Sequence, residues 1–148
     1  MNKIKATLGL LLAIVLAGAF AVAGSASPRS GELHVTKDCS DYNGGAGGHC
    51  TIVWSSLNAI SSGMQVVYAS PPGANGLDSD LVLDGPGNND ANGHVTLDIQ
   101  TLSGVVTLDG GNGRFRRFHA TVAVTYDVES GLWHWDGAYR FTPPGHDH

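Results

Sequence analysis

Strict alternation of apolar and polar residues recurs along the chain beyond residue 27. From Phe118 to Tyr126 the even-numbered positions are apolar, and a period of two is typical of a strand with one buried face. No stretch in this region shows a sustained helical period of 3.6 residues. Turns rich in glycine, proline and asparagine separate the alternating segments. The pattern predicts eight strands, at about 31–36, 49–57, 64–69, 79–84, 93–100, 103–109, 117–127 and 132–141.

Many short strands at this spacing predict an all-β fold, either an antiparallel sandwich or a barrel. The tight hairpins toward the C-terminus favour a meander, and closing the meander into a small eight-stranded barrel would remove its exposed edges. The length of 148 residues fits one domain. We assign that domain to residues 27–148, with a flexible tail at 143–148.

The first residues have the layout of a secretory signal peptide. Two lysines precede an uninterrupted run, Ala6–Ala23, that is apolar except for one threonine, and small residues follow it. We therefore predict a signal peptide over residues 1–26, cleaved before Gly24 or before Ser27, and an extracellular or periplasmic location. The alternative is an uncleaved anchor, because 18 apolar residues can nearly span a bilayer.

Cleavage changes the charge and explains the cysteines. The mature chain would have about 122–125 residues, with six basic and thirteen acidic residues and a net charge of −7. This excludes a typical nucleic-acid binder, which needs a basic surface. Cys39 and Cys50 are the only cysteines, and in an exported protein a single pair indicates a disulfide, here closing a glycine-rich loop. A metal or redox thiol pair would need closer spacing or a second pair.

A glycine-rich hairpin carries the most recognisable motif. The segment Gly104–Phe115 contains Gly-Gly-Asn-Gly-Arg-Phe, and this strand–GGxGxF turn–strand layout resembles the signature of the allene oxide cyclase and dirigent barrels. The ending Trp135–Phe141 resembles their closing strand. The structural residues of the turn are Gly110, Gly111, Gly113 and Phe115. The glycines would permit positive φ in a tight, bulged turn, and the phenylalanine would fold back over the barrel end.

This resemblance covers about residues 103–141 and implies an eight-stranded barrel with a central cavity, often in a trimer. In those families the cavity holds a hydrophobic molecule and steers a cyclisation or a coupling without a cofactor. The resemblance therefore implies a small hydrophobic ligand, no cofactor and a homo-oligomer. The upstream region does not align, so the motif transfers no catalytic residue.

Polar side chains on otherwise apolar strands form the candidate catalytic set. They are His94, Asp98, His119, His134, Asp136 and Arg140. If this face of the strands points inward, the six meet in one cavity, where a carboxylate could orient or deprotonate a histidine and the arginine could hold an oxyanion. If it points outward, the six are solvated and the aromatic face of the last strand fills the barrel.

Three weaker patterns have structural alternatives. The segment Asn88–Gly93 is similar to the front of a calcium loop but lacks the acidic twelfth residue, which favours a polar hairpin. The tail Gly145–His148 could bind zinc, copper or nickel, or be disordered. Arg114, Arg116 and Arg117 form the one basic cluster of the sequence. That cluster could contact an anionic partner or a polysaccharide, or be a solvated turn edge.

Two functions remain open at this point. The first is an exported barrel that binds a small apolar or amphipathic molecule, either as a binder alone or as a cofactor-free isomerase or cyclase. The second is a non-catalytic extracellular or cell-envelope module that acts through its surface. The directions of His134 and Trp135 discriminate between them, since only the first function needs the polar face inside.

Overall fold

The computed structural model describes residues 29–144, which form a closed barrel of eight antiparallel strands. The strands are β1 (Ser30–Asp38), β2 (His49–Ser55), β3 (Gln65–Tyr68), β4 (Gly76–Asp84), β5 (Asp90–Asp98), β6 (Ser103–Gly111), β7 (Phe118–Asp127) and β8 (Leu132–Phe141). Each strand pairs with the next along the chain, and β8 pairs with β1 to close the sheet. The predicted barrel is confirmed, and the described residues contain no α-helix.

The strand boundaries differ most from the prediction at β4 and β5, which each begin three residues earlier than expected. The sequence favours a polar hairpin loop over Asn88–Gly93, but Asp90–Gly93 are strand residues that pair with β4. A bulge between Ala91 and Gly93 fits them to β6 on the other side. Asparagine and glycine favour turns locally, and pairing with strands on both sides overrides that preference here.

The glycine-rich turn between β6 and β7 closes one end of the barrel. Gly110 and Gly113 have φ of +77° and +60°, a backbone conformation that favours glycine. Gly111 is not left-handed, contrary to expectation; it is needed because a Cβ there would overlap the carbonyl oxygen of Asp90. Phe115 ends a short 3-10 helix, Gly113–Phe115, and is fully buried.

The meander gathers the connections at two ends of the barrel, which differ in chemistry. Residues 56–64, 85–89, 112–117 and 142–144 lie at one end, called the arginine end below. Residues 39–48, 69–75, 99–102 and 128–131 lie at the other, called the lysine end. Inside the arginine end Phe118 packs with its ring centroid 5.5 Å from that of Phe115 and 5.0 Å from that of Phe141. Apolar side chains therefore fill that end.

The lysine end is closed by a disulfide-bonded loop. Cys39 and Cys50 form the predicted disulfide, which joins the end of β1 to β2. The loop is also hydrogen-bonded to β3: the amide of Gly47 donates to the carbonyl of Tyr68 at 2.8 Å, and the amide of Tyr68 donates to the carbonyl of Gly48 at 2.9 Å. These contacts hold a glycine-rich segment over the barrel mouth.

Several predictions lie outside the described residues. The signal peptide with both of its cleavage sites and the tail Gly145–His148 belong to this group. Within residues 29–144, no helix has the length and apolar character that a membrane crossing requires.

Candidate functional site

All six candidate catalytic residues lie on the outer wall of the barrel. On each strand the alternate positions point inward and are buried and mainly apolar, as the burial patterns of β5, β7 and β8 show. On β8, Trp135 is fully buried, whereas its neighbour Asp136 is exposed. The arrangement in which the polar face lines an internal cavity is therefore not formed. The aromatic face of the strand fills the barrel instead, and any catalytic role of the six residues stays a prediction.

Two of the outer-wall clusters place a histidine between two carboxylates. His94 lies with Nδ1 2.8 Å from Asp80 and Nε2 2.5 Å from Asp78. Hydrogen bonds to Asp80, the larger contribution, and to Asp78 raise the pKa of His94 above its usual value.

His34 is held in the same way, with Nδ1 2.7 Å from Asp136 and Nε2 3.4 Å from Glu32. Hydrogen bonds to these two carboxylates raise its pKa as well. The His34 and His94 clusters are both exposed to solvent, so each is a surface cluster of one imidazole and two carboxylates.

A third cluster lies in a shallow groove across β6, β7 and β8. His119 Nδ1 is 2.6 Å from Asp109, and Arg140 is its cross-strand neighbour on β8. The three residues line the groove together with Thr107 and Thr121. This is the one place where two of the six predicted residues meet, and the groove is open to solvent rather than enclosed.

The remaining predicted residues have structural contacts. Asp98 accepts hydrogen bonds from the backbone amides of Gln100 at 2.7 Å and Thr101 at 3.3 Å, which caps the turn after β5. His134 Nδ1 is 3.2 Å from the hydroxyl of Thr36 on the adjacent β1. On the outer surface of the barrel, Asp98 therefore stabilises a turn and His134 contacts the neighbouring strand.

The calcium-like segment is used to tie two turns together. Asn89 donates to the carbonyl of Pro86 at 2.9 Å and accepts from the amide of Arg114 at 3.0 Å. Its oxygen is thus engaged in the fold. Among residues 29–144, no group of three or more histidine, cysteine, aspartate and glutamate side chains is placed to hold a metal ion.

The basic cluster of the sequence is part of a larger basic groove at the arginine end. Arg114, Arg116 and Arg117 line this groove together with Arg29, which precedes β1. The described range holds six basic residues in all, so four of them converge here. The floor is partly apolar, with Ala59 and Phe141. We call the four arginines with this floor the arginine groove.

A second basic feature, Lys37, was missed by the sequence analysis. It occupies the inward phase of β1 after Leu33 and Val35 and is only 4% exposed. Its ammonium nitrogen donates a hydrogen bond to the hydroxyl of Tyr68. The signal was available, since a lysine stands where alternation along β1 demands an apolar residue.

Burial shifts the acid–base properties of this pair. Loss of solvation lowers the pKa of Lys37 to about 7, because an ammonium is poorly stabilised away from water. Burial also raises the pKa of Tyr68, and the neighbouring Tyr42 adds to that shift. The tyrosine therefore keeps its proton while the lysine gives its proton up readily.

Comparisons with known proteins give no identity. No model of a protein family matches the chain, and neither a curated protein nor a solved structure does.

Proposed function

We propose that the protein is an exported, non-catalytic module that binds an anionic polysaccharide in the arginine groove. The observation that carries this proposal is the convergence of Arg29, Arg114, Arg116 and Arg117 on one groove of an otherwise acidic chain. A guanidinium binds a carboxylate or sulfate group through two parallel hydrogen bonds. Several such groups along one groove suit a ligand with repeated negative charges.

The charge distribution supports a localised and oriented contact. Acidic side chains line much of the outer wall, including Asp78, Asp80 and Asp136, and these would repel a polyanion. The arginine end is where attraction dominates, so a polyanion would approach from that side. The apolar floor of the groove can contact the C–H faces of sugar rings between the charged groups.

The filled interior supports a module rather than an enzyme. Trp135, Phe118 and Tyr139 occupy the space where a cyclase of this shape would hold its substrate. The proton-handling side chains lie in separate groups on the outer wall, and general acid–base catalysis needs them within hydrogen-bond reach of one substrate. For this reason the cyclase hypothesis is not carried forward.

A relationship to the allene oxide cyclase and dirigent barrels remains part of the proposal. The eight-stranded meander and the GGxGxF turn with buried Phe115 support it. No functional residue of those families comes to this chain through it.

Binding of charged polymers tests the proposed function. We expect the purified protein to bind polygalacturonate and dextran sulfate at low ionic strength and to release both as salt is added. We expect no binding to neutral dextran. Replacing two groove residues, Arg114→Ala with Arg116→Ala, should weaken binding by about 10-fold or more. Arg140→Ala is the control, since it removes one positive charge from the neighbouring groove on the outer wall, whose lining includes none of the four arginines.

The outcomes separate the alternatives clearly. A groove-specific loss supports the proposal. Failure of both polyanions to bind at low salt, or an equal loss in Arg140→Ala, contradicts it. Calorimetry or co-sedimentation gives the affinities, and circular dichroism checks that each variant is folded.

A second candidate function is the binding of a small amphipathic molecule at the lysine end. The specific observation in its favour is the buried Lys37–Tyr68 pair, a polar site inside an otherwise apolar barrel. Binding sites for small molecules commonly combine apolar walls with a few polar groups.

A further inference from the structure

The interior of the lysine end contains one basic group, the amine of Lys37. Lys37 is on the inward face of β1. Aromatic residues aside, Ser79 is the only other buried polar or charged residue of the described range. A lysine that is buried at this depth usually has a charged partner. Burial is the cause of the lowered pKa of Lys37, and the hydrogen-bond partner of its nitrogen among the described residues is the hydroxyl of Tyr68.

Aromatic rings surround the nitrogen. The Nζ atom lies 5.2 Å from the ring centroid of Tyr68, 5.3 Å from that of Trp135 and 5.9 Å from that of Trp133. The rings offer the cation some stabilisation, and removal from water opposes it. Together the three rings form an apolar enclosure, called the chamber below, around one basic nitrogen that contacts one phenolic hydroxyl.

Two polar atoms of this chamber lack partners within the described residues. The indole Nε1 of Trp135 and the hydroxyl of Tyr42 are buried without a hydrogen bond. Tyr42 belongs to the loop over the mouth, and its ring packs against Tyr68 at 5.5 Å. Unsatisfied buried donors are costly, and the oxygen of an entering carbonyl compound would be an acceptor for them until it leaves as water.

The amine is in the right state to act as a nucleophile. A lysine with an ordinary pKa is almost wholly protonated at neutral pH, whereas Lys37, with a pKa of about 7, is about half neutral there. A desolvated lysine is the usual form of an amine that attacks carbonyl groups. The chain contains only two other lysines, Lys3 and Lys5, and both fall in the predicted signal peptide.

We propose that Lys37 is a covalent binding site that forms a reversible imine with a small aldehyde or ketone carrying a flat apolar group. The amine selects an electrophilic carbonyl carbon, and the rings of Trp133, Trp135 and Tyr68 select an apolar body. This inference is independent of the arginine groove and would make the second candidate function specific.

The reaction balances without an oxidant or a reductant. The lone pair of Nζ forms a bond to the carbonyl carbon, and the π electrons move to oxygen, which takes up a proton. Nitrogen then loses a proton, the C–O bond breaks as a second proton reaches the oxygen, and the oxygen leaves as water. The product is an iminium ion with a C=N bond, and loss of its remaining N–H proton gives the neutral imine, so the two protons taken up by oxygen match the two lost by nitrogen. The hydroxyl of Tyr68 contacts the nitrogen and can donate a hydrogen bond to the reacting oxygen while it keeps its proton.

Entry requires the disulfide loop to move from the barrel mouth. Its backbone hydrogen bonds to β3, at Gly47 and Gly48, are the contacts that would open. We therefore expect small carbonyl compounds to react and bulky ones to react more slowly.

Reductive trapping tests the proposal. The protein is incubated with benzaldehyde and cyanoborohydride over a range of pH, and peptide mapping by mass spectrometry locates the benzyl group. We expect modification at Lys37, with a yield that rises with a midpoint near pH 7. N-acetyl-lysine amide in the same tube should follow a midpoint near 10.4.

Three controls make the result decisive. Lys37→Met should show no adduct in the peptide containing residue 37, while its near-ultraviolet circular dichroism stays native. Tyr68→Phe keeps the amine but should slow trapping by about 10²-fold, as loss of a hydrogen-bond donor to the reacting oxygen does. Protein unfolded in urea should be labelled with the midpoint of the free amine.

The inference fails if native Lys37 stays unmodified under conditions that label the unfolded chain. It also fails if its midpoint equals that of the free amine. Neither outcome affects the arginine groove, because polyanion binding is measured at the opposite end of the barrel.

Discussion

The two ends of the barrel place positive charge in opposite environments. At the arginine end, four guanidinium groups line an external groove and the aromatic cluster around Phe118 fills the interior. At the lysine end, the basic group is inside, where Lys37 contacts Tyr68. A cation that is exposed to water keeps its charge, whereas burial lowers the pKa of an amine and favours its neutral form. The same wall of strands thus carries the proposed polyanion site outside one end and the proposed amine site inside the other.

Differences in how each end is closed follow from local sequence. The β6–β7 turn brings Phe115 back under the arginine end, where it packs on Phe118 with no polar atom to satisfy. The lysine end is closed by a glycine-rich loop whose contribution to the chamber is Tyr42, a residue with a buried hydroxyl. The first closure favours stability, and the second leaves the buried amine and hydroxyl groups of the proposed site.

The largest expected effect is at the arginine end. Phe118→Ala removes a fully buried ring from the centre of the aromatic cluster and should lower the free energy of unfolding by about 3–5 kcal/mol. Trp133→Ala at the lysine end should cost less, because that side chain is only half-buried. Urea unfolding followed by circular dichroism measures both.

An equal loss in the two variants would contradict this difference between the ends. It would mean that the lysine end is packed as tightly as the arginine end and that its chamber cannot admit a ligand.

A smaller effect of opposite sign is expected from Lys37→Met. In the folded protein the pKa of Lys37 is about 7, and in the unfolded chain it is about 10.4. The unfolded state therefore binds the proton more tightly, and the folded state gains stability as pH rises from about 7 to about 10. Methionine removes this penalty, so at neutral pH the variant should be more stable by about 2–4 kcal/mol, after allowance for the hydroxyl of Tyr68 that loses its partner.

The same urea measurement across this pH range provides the check. Wild type should become more stable as the solution turns alkaline, and Lys37→Met should change much less. A variant that is less stable than wild type at neutral pH would show that the three aromatic rings stabilise the ammonium by more than burial costs it.

Much of this fold could be predicted because its rules are local. Alternation along the chain located all eight strands, and the turn-forming residues separated them correctly at nearly every connection. The start of β5 at Asp90 was missed because asparagine and glycine there favour a turn, and only pairing with β4 and β6 makes them a strand. Pairing partners are not visible in a single sequence.

The site was harder to predict because alternation does not say which face of a strand is inside. The polar face of β8 includes His134 and Asp136, and both lie outside once Trp135 is buried. Histidines and aspartates are easily noticed as candidates for catalysis, while Lys37 looked like one charge among others on β1. Its phase with Leu33 and Val35 was the informative feature.

The smallest expected effect is on the outer wall, and it sharpens the comparison by separating pairing from burial. His94 is solvated and lies between Asp78 and Asp80, so hydrogen bonds raise its pKa, whereas burial lowers that of Lys37. The contribution of His94 to stability is complete below its pKa in the unfolded chain, about 6.5. It is lost as pH rises through the higher pKa of the folded state. Titration of the imidazole resonances by NMR should show the raised pKa of His94 directly.

The double variant Asp78→Asn with Asp80→Asn should return the pKa of His94 toward 6.5. His34 is the control: its partners are elsewhere on the wall, so its pKa should stay raised. If the pKa of His94 does not fall in that variant, pairing with these two carboxylates is not its cause, and the contrast with the buried lysine would need a different basis.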